Sequence, residues 1–281
     1  MKIDNSARRE DKPEFIFSLC RLLGSQSFNR EEILRFMIPC REDGQKGAYI
    51  SQAITFAKNC GMITEDEKGN YRTDFTQAEL QTFQRFMYRI FKESAKAKDT
   101  DFYKLCQFLY DMQENMIFKA DPKALREREQ NVLGLNKDDM AGLIQWLIAM
   151  DLLTLDVRQS TSAGQANVFF PTLYRPIRHW IHYDQEFPLH QRVSMDQFLS
   201  VMKQAFLFLN IDFDEHVIPP QVCLALKILE QSGYIKMSYV SDSTDRWNLN
   251  HGLDPSAQQP LAGSMLSPQS DATNIEVLKY E

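Results

Sequence analysis

The sequence is poor in the features that announce an enzyme, a membrane protein or a disulfide-built domain. No uninterrupted apolar run approaches the roughly 18 residues that a membrane-spanning helix needs. The opening stretch MKIDNSARREDKPEF is charged where a secretory leader carries an apolar centre, so a cytoplasmic protein without membrane contact is expected. Cys20, Cys40, Cys60, Cys106 and Cys223 are odd in number, far apart and without a C-x-x-C pair. That excludes a closed disulfide framework and a zinc ribbon, and reads as reduced core residues. Only 11 glycines are spread over 281 residues, and none falls in a G-x-x-x-x-G-K-[ST], G-x-G-x-x-G or G-x-S-x-G pattern. Phosphate-cradling loops and nucleophile elbows are therefore missing, and a non-catalytic protein with no cofactor and no bound metal is expected.

What is present is enough apolar material for packed cores. A 43% hydrophobic and 11% aromatic chain of 281 residues can bury the interiors of two or three small domains. The formal net charge of −6 is uneven. Residues 1–130 carry 22 Lys+Arg against 21 Asp+Glu, whereas residues 131–281 carry 10 against 17. Contact with a phosphate backbone needs clustered cations, so it is expected in the first half, and protein contact in the acidic second half.

A template recurs three times. Ile50, Ile54 and Ala57 lie on one helical face, Gly61 follows at a left-handed position, and Met62-Ile63 start a strand. Met140, Ile144 and Leu147 with Asp151 and Leu152-Leu153 repeat it, as do Val222, Leu226 and Leu229 with Gly233 and Tyr234-Ile235. Each copy runs into an expected hairpin: ITEDEKGNYRT, turning at Lys68-Gly69-Asn70; LTLDVRQSTSAGQANVFFPT, turning at Ser162-Ala163-Gly164; and IKMSYVSDSTDRWNL, turning at Asp242 to Asp245. Further helical segments precede each copy.

Helices followed by a β-ribbon resemble the winged-helix fold, in which the third helix can enter a DNA major groove beside the ribbon, or wing. The resemblance is clearest over Pro13 to Thr73, where Ile50-Ser51-Gln52-Ala53-Ile54 and Cys60-Gly61-Met62-Ile63 carry it; it extends over Asp121 to Thr172 and Ser194 to Leu249. Asp151 in place of the exit glycine and Pro219-Pro220 at the start of the third helix depart from it. It implies a mainly α protein with small β-hairpins, of the α+β class, built as an array of winged-helix units. The expected division is 1–75 for the first unit, 76–120 for a helical spacer, 121–190 for the second, 191–250 for a third, winged-helix-like unit and 251–281 for a flexible tail whose end, NIEVLKYE, has the hydrophobes to dock as a strand or helix.

A second resemblance joins the N-terminal winged-helix pattern to the stretch Gly134 to Asp139, Trp146 and the Phe169 to Thr172 ending. These are similar to DpdG-like accessory proteins of bacterial gene clusters that install 7-deazaguanine in DNA. It implies antiviral defence beside DNA-acting enzymes and brings no catalytic residue.

If the first unit reads duplex DNA, its third helix presents Tyr49, Ser51, Gln52, Thr55 and Lys58, with Arg41 and Lys46 just before it. Gln52 suits the N6 and N7 edge of adenine, and the hydroxyls suit phosphates or bases. The wing adds Lys68 and Arg72 but also Glu65, Asp66 and Glu67, which repel phosphate. The spacer helix adds Arg85 and Arg89 as a basic face. The second helix exposes Gln145 and, at its margin, Trp146, behind the acidic start Asp138-Asp139; the third exposes Gln221, Lys227, Glu230 and Gln231. Both suit protein contact better than DNA. The expectation is a non-catalytic adaptor of a DNA-processing or defence complex, with protein subunits as partners, duplex DNA as a candidate partner and the oligomeric state open. Alternatives are a sequence-specific transcriptional regulator and a metal-dependent enzyme using His179, His182, Asp184 and Glu186.

Overall fold

The computed structural model describes residues 1–3, 12–37, 48–111, 118–120, 134, 137–160, 164–240, 246–249 and 271–280. Among these lie nine helices and small antiparallel sheets of two or three strands, an α+β protein. The chain forms two compact units, Met1–Lys104 with Lys123–Met150, and Leu105–Pro122 with Asp151–Glu281.

In the first unit, helix α1 (Pro13–Leu23) begins on a proline whose fixed φ suits a first helical turn and buries Ile16, Leu19, Cys20 and Leu23. Strand β1 (Phe28–Asn29) leads into α2 (Arg30–Met37). Asn29 caps that helix reciprocally: its Oδ1 accepts the Glu32 amide at 3.0 Å, and Glu32 Oε2 accepts the Asn29 amide at 2.8 Å. Two end-of-helix donors are thereby satisfied, an arrangement that stabilises by about 1 kcal/mol.

Helix α3 (Ala48–Asn59) ends in a Schellman turn. Gly61 adopts φ 67°, its amide reaches the Lys58 carbonyl at 2.9 Å, and the Met62 amide reaches Ala57 at 2.8 Å. Strands β2 (Ile63–Glu65) and β3 (Asn70–Thr73) follow as a hairpin, with Glu65 opposite Tyr71. Asp66 holds the turn by accepting the Lys68 and Asn70 amides, each at 2.9 Å. Helix α4 (Phe83–Ser94), capped by Thr82, packs Phe86 against Phe75 and Phe17 with ring centroids 4.6 and 5.2 Å apart. The N-terminal residues join this core: Ile3 is fully buried and its amide donates to Ser94 Oγ at 2.9 Å. From α6 (Lys137–Ala149), Trp146 lies 5.5 Å from Phe56 and is fully buried. It is therefore not the marginally exposed residue its place in the sequence suggests. The helix α5 (Asp101–Asp111) passes from this unit into the second.

In the second unit, β4 (Phe118–Ala120), β5 (Leu153–Ser160) and β6 (Gly164–Pro171) form one sheet. Tyr110 clamps its base, its buried hydroxyl lying 2.9 Å from the Leu152 carbonyl and 3.0 Å from that of Thr172. Helix α7 (Tyr174–Asp184) and α8 (Met195–Ala205) enclose Trp180, which meets Phe187, Phe198 and Phe206 edge-on. Strand β7 (Arg192–Ser194) precedes α8, and α9 (Pro220–Gln231) packs on α7. Gly233, at φ 70°, repeats the Schellman turn, with its amide 2.9 Å from the Glu230 carbonyl and the Tyr234 amide 2.9 Å from that of Leu229. Strand β8 (Ile235–Ser238) follows, then β9 (Trp247–Asn248), β10 (Asp271–Ala272) and β11 (Asn274–Val277).

Two sequence expectations change here. Strand β8 does not form a hairpin with the Trp247 segment; it pairs with β11, and β9 pairs with β10 instead. Trp247 is fully buried, its Nε1 donating to Asp196 Oδ1 at 2.5 Å, which draws β9 away from β8. The span read as a tail contributes β11, the central strand of the sheet, where Ile275 and Val277 are buried. Residues 250–270 and the expected turn at 241–245 lie outside the described residues, as does the 161–163 part of the second turn.

The three junctions share one geometry. Left-handed Gly61, Asp151 and Gly233 (φ 67°, 59° and 70°) each follow a helix and precede a strand beginning at Ile63, Leu153 or Ile235. Each strand enters a three-stranded antiparallel sheet, ordered β1-β3-β2, β4-β6-β5 and β7-β11-β8, so in every case the last strand in the chain is central.

Candidate nucleic-acid interface

Helix α3 buries Ile50, Ala53, Ile54, Phe56 and Ala57 and turns Gln52, Thr55 and Lys58 outward. The 3.6-residue period makes that separation: the apolar stripe faces the core and the polar positions fall on the opposite side. Tyr49 is 41% exposed at the start of the helix and rests on Phe15, centroids 4.6 Å apart. Ser51 is half-buried and bound through its Oγ by the Arg30 guanidinium. Arg30 is a cation on this face that sequence reasoning missed, because it sits 21 residues away at the start of α2. Arg41 and Lys46 lie outside the described residues.

On the hairpin, Lys68 and Arg72 are exposed, and Arg72 Nε donates to Thr64 Oγ1 at 3.2 Å. Lys58 Nζ lies 2.5 Å from Glu65 Oε2. The hydrogen bond and charge of Glu65 raise the Lys58 pKa, and the same bond lowers that of Glu65, so both stay ionised near neutrality. The Asp66 carboxyl is also held low, chiefly by the Asn70 amide.

Arg85 and Arg89 lie apart from this set, on α4. Arg89 is shared between Glu79 (3.3 Å) and Glu93 (2.8 Å), and Arg85 donates to Gln81 Oε1 at 3.2 Å. The basic look of the spacer in sequence is thus partly cancelled at Arg89 by Glu93 one turn on and by Glu79 from the segment before the helix. The structure brings Ser51, Gln52, Thr55 and Lys58 together on one helix and adds Arg30 and Glu65 to them.

The equivalent helix of the second unit differs. On α9, Gln221 is 4% and Lys227 3% exposed, against the expectation that both face solvent. Burial lowers the Lys227 pKa, partly offset by Cys223 and Glu230. Polar residue type suggested an open face; packing closes it.

The histidines of α7 form no ligand set. His179 and His182 both pack on Tyr183, at 5.6 and 4.4 Å between centroids, and burial pushes His179 down to about 4. No cluster of three or more His, Cys, Asp or Glu suited to a metal ion occurs among the described residues. Asp212 instead spends its Oδ1 on the amides of Asp214 and Glu215 at 3.0 and 3.1 Å, closing its own loop. Cys20, Cys60, Cys106 and Cys223 are buried thiols, and burial lifts Cys20 and Cys223 to about 12. Among the described residues no helix is long and apolar enough to cross a membrane.

No family model, no curated protein and no solved structure matches the chain.

Proposed function

We propose that the chain is an array of winged-helix units acting as a non-catalytic adaptor in a DNA-processing or defence complex. The first unit touches duplex DNA through α3 and its hairpin, and the acidic second half engages protein subunits. The observation that carries this reading is an asymmetry between similar elements. Helix, left-handed exit and strand recur three times with one sheet order, yet α3 keeps an open polar face whereas on α9 Gln221 and Lys227, at the positions of Tyr49 and Thr55, are buried. A helix that enters a major groove must present side chains to base edges and be flanked by cations. Gln52, Thr55, Arg30 and Arg72 meet that requirement on α3 and its neighbours. The fold alone does not decide function, so the side chains of α3 bear the weight.

Anisotropy titration of a labelled random duplex at low salt tests it. Reversing Arg30 and Arg72 to Glu should weaken binding strongly, since each lost phosphate contact removes about 0.9 from the slope of log K against log salt. Unchanged affinity in the double variant would remove DNA from this face. For the second half, capture of partners from the native host with the full chain should retain subunits of DNA-acting enzymes, and retention should survive those same charge reversals.

A further inference from the structure

We propose that Glu65 is a built-in competitor of phosphate on the α3 face, holding Lys58 in an intramolecular ion pair that a nucleic-acid backbone has to displace. The inference rests on the reading of α3 as a nucleic-acid surface and adds its regulation. Lys58 ends the outward row of α3, and Glu65 ends β2, seven residues on. The left-handed exit at Gly61 reverses the chain between them, which brings Nζ and Oε2 to 2.5 Å.

The backbone of Glu65 is held by the sheet. Glu65 pairs with Tyr71, 9% exposed, in the β2–β3 register, so the sheet fixes where its side chain leaves the backbone. Glu65 therefore presents to Lys58, from a fixed strand position, the anionic oxygen that a phosphate would present. The pair is open to an incoming ligand, with Lys58 51% and Glu65 31% exposed at the side chain. An ion pair this exposed is individually weak, so a phosphate in a multi-contact complex can replace it. Arg72, by contrast, bonds a neutral hydroxyl and keeps its charge for a phosphate.

The test is duplex anisotropy across a salt series with wild type, Glu65→Gln, Glu67→Gln, Lys58→Met and the Lys58→Met/Glu65→Gln double variant. Glu67 is an exposed carboxylate of the same turn and controls for the simple loss of negative charge. Glu65→Gln should bind about threefold more tightly than Glu67→Gln, because Lys58 then reaches a phosphate without leaving a carboxylate. Lys58→Met alone should lower the salt slope, and adding Glu65→Gln to it should gain no more than Glu67→Gln gains in wild type. A Glu65→Gln gain equal to that of Glu67→Gln, or one that survives Lys58→Met, overturns the masking while leaving the nucleic-acid reading in place. No binding by any variant at low salt overturns both. Circular dichroism of each variant confirms that the fold is retained.

Discussion

Position 151 offers a test of the shared junction geometry, because it carries aspartate where positions 61 and 233 carry glycine. At Gly233 no heavy atom lies within 4 Å of an added Cβ, and at Gly61 the nearest is the Met1 Cα at 3.6 Å. Alanine meets no clash at either place. Its cost is conformational, the roughly 1–2 kcal/mol that a Cβ suffers against its own carbonyl in the left-handed region. Asp151 tolerates φ 59° and gains Arg175, whose Nη1 is 2.8 Å from Oδ1. Arg175 is 63% exposed, so the bridge contributes only about 0.2–1 kcal/mol. Asp151→Gly loses that bridge and relieves the backbone, and should lie within about 1 kcal/mol of wild type. Asp151→Ala loses the bridge and keeps the strain. The gap between the glycine and alanine forms should therefore be about 1–2 kcal/mol at all three positions. That corresponds to about 2–4 °C in Tm per kcal/mol for domains of roughly 150–250 residues. Thermal and urea melts of wild type, Gly61→Ala, Gly233→Ala, Asp151→Gly and Asp151→Ala read it directly. A gap near zero at 151, with the expected gap at 61 and 233, would refute a shared left-handed junction.

Other outcomes follow from single contacts. Tyr110→Phe keeps the ring stacked 5.1 Å from Phe208 but removes the hydroxyl at the ribbon base, and should cost about 1–1.5 kcal/mol in a urea melt. Removal of residues 271–281 deprives β7 and β8 of their shared neighbour β11, so limited proteolysis should cut the second unit rapidly, whereas a dispensable tail would leave it resistant. His179, depressed to about 4 from an ordinary 6.5, binds its proton in the unfolded chain first. Its contribution is intact above about pH 6.5 and is lost as pH falls toward 4, up to about 3 kcal/mol, and His179→Gln should flatten that part of the stability profile. Cys20, Cys106 and Cys223 should react with a thiol reagent only after unfolding, because burial holds each as the neutral thiol.

The three junctions were legible because their signals are local. Apolar residues at helical spacing, then glycine or aspartate, then paired hydrophobes specify a helix, a left-handed residue and a strand within fifteen or so residues. The outward row of α3 was legible for the same reason. What escaped the sequence depends on distant partners. Strand β11 pairs with β7 and β8 across long stretches of chain, and its alternation of Ile275 and Val277 is too short to announce a central strand. Gln221 and Lys227 are polar by type but buried by packing, and Trp146 is buried against Phe56 from another helix. The Lys58–Glu65 pair joins a helix end to a strand end across the reversal at Gly61, so the period of neither element announces it.

The most direct measurement is photo-cross-linking of the full chain to a labelled duplex from an amino acid placed at Gln52 or Gln231, both exposed, on α3 and α9 respectively. A cross-link from 52 that salt suppresses, with none from 231, is expected. Equal yields from both, or none from 52 at low salt, would contradict a nucleic-acid surface confined to α3.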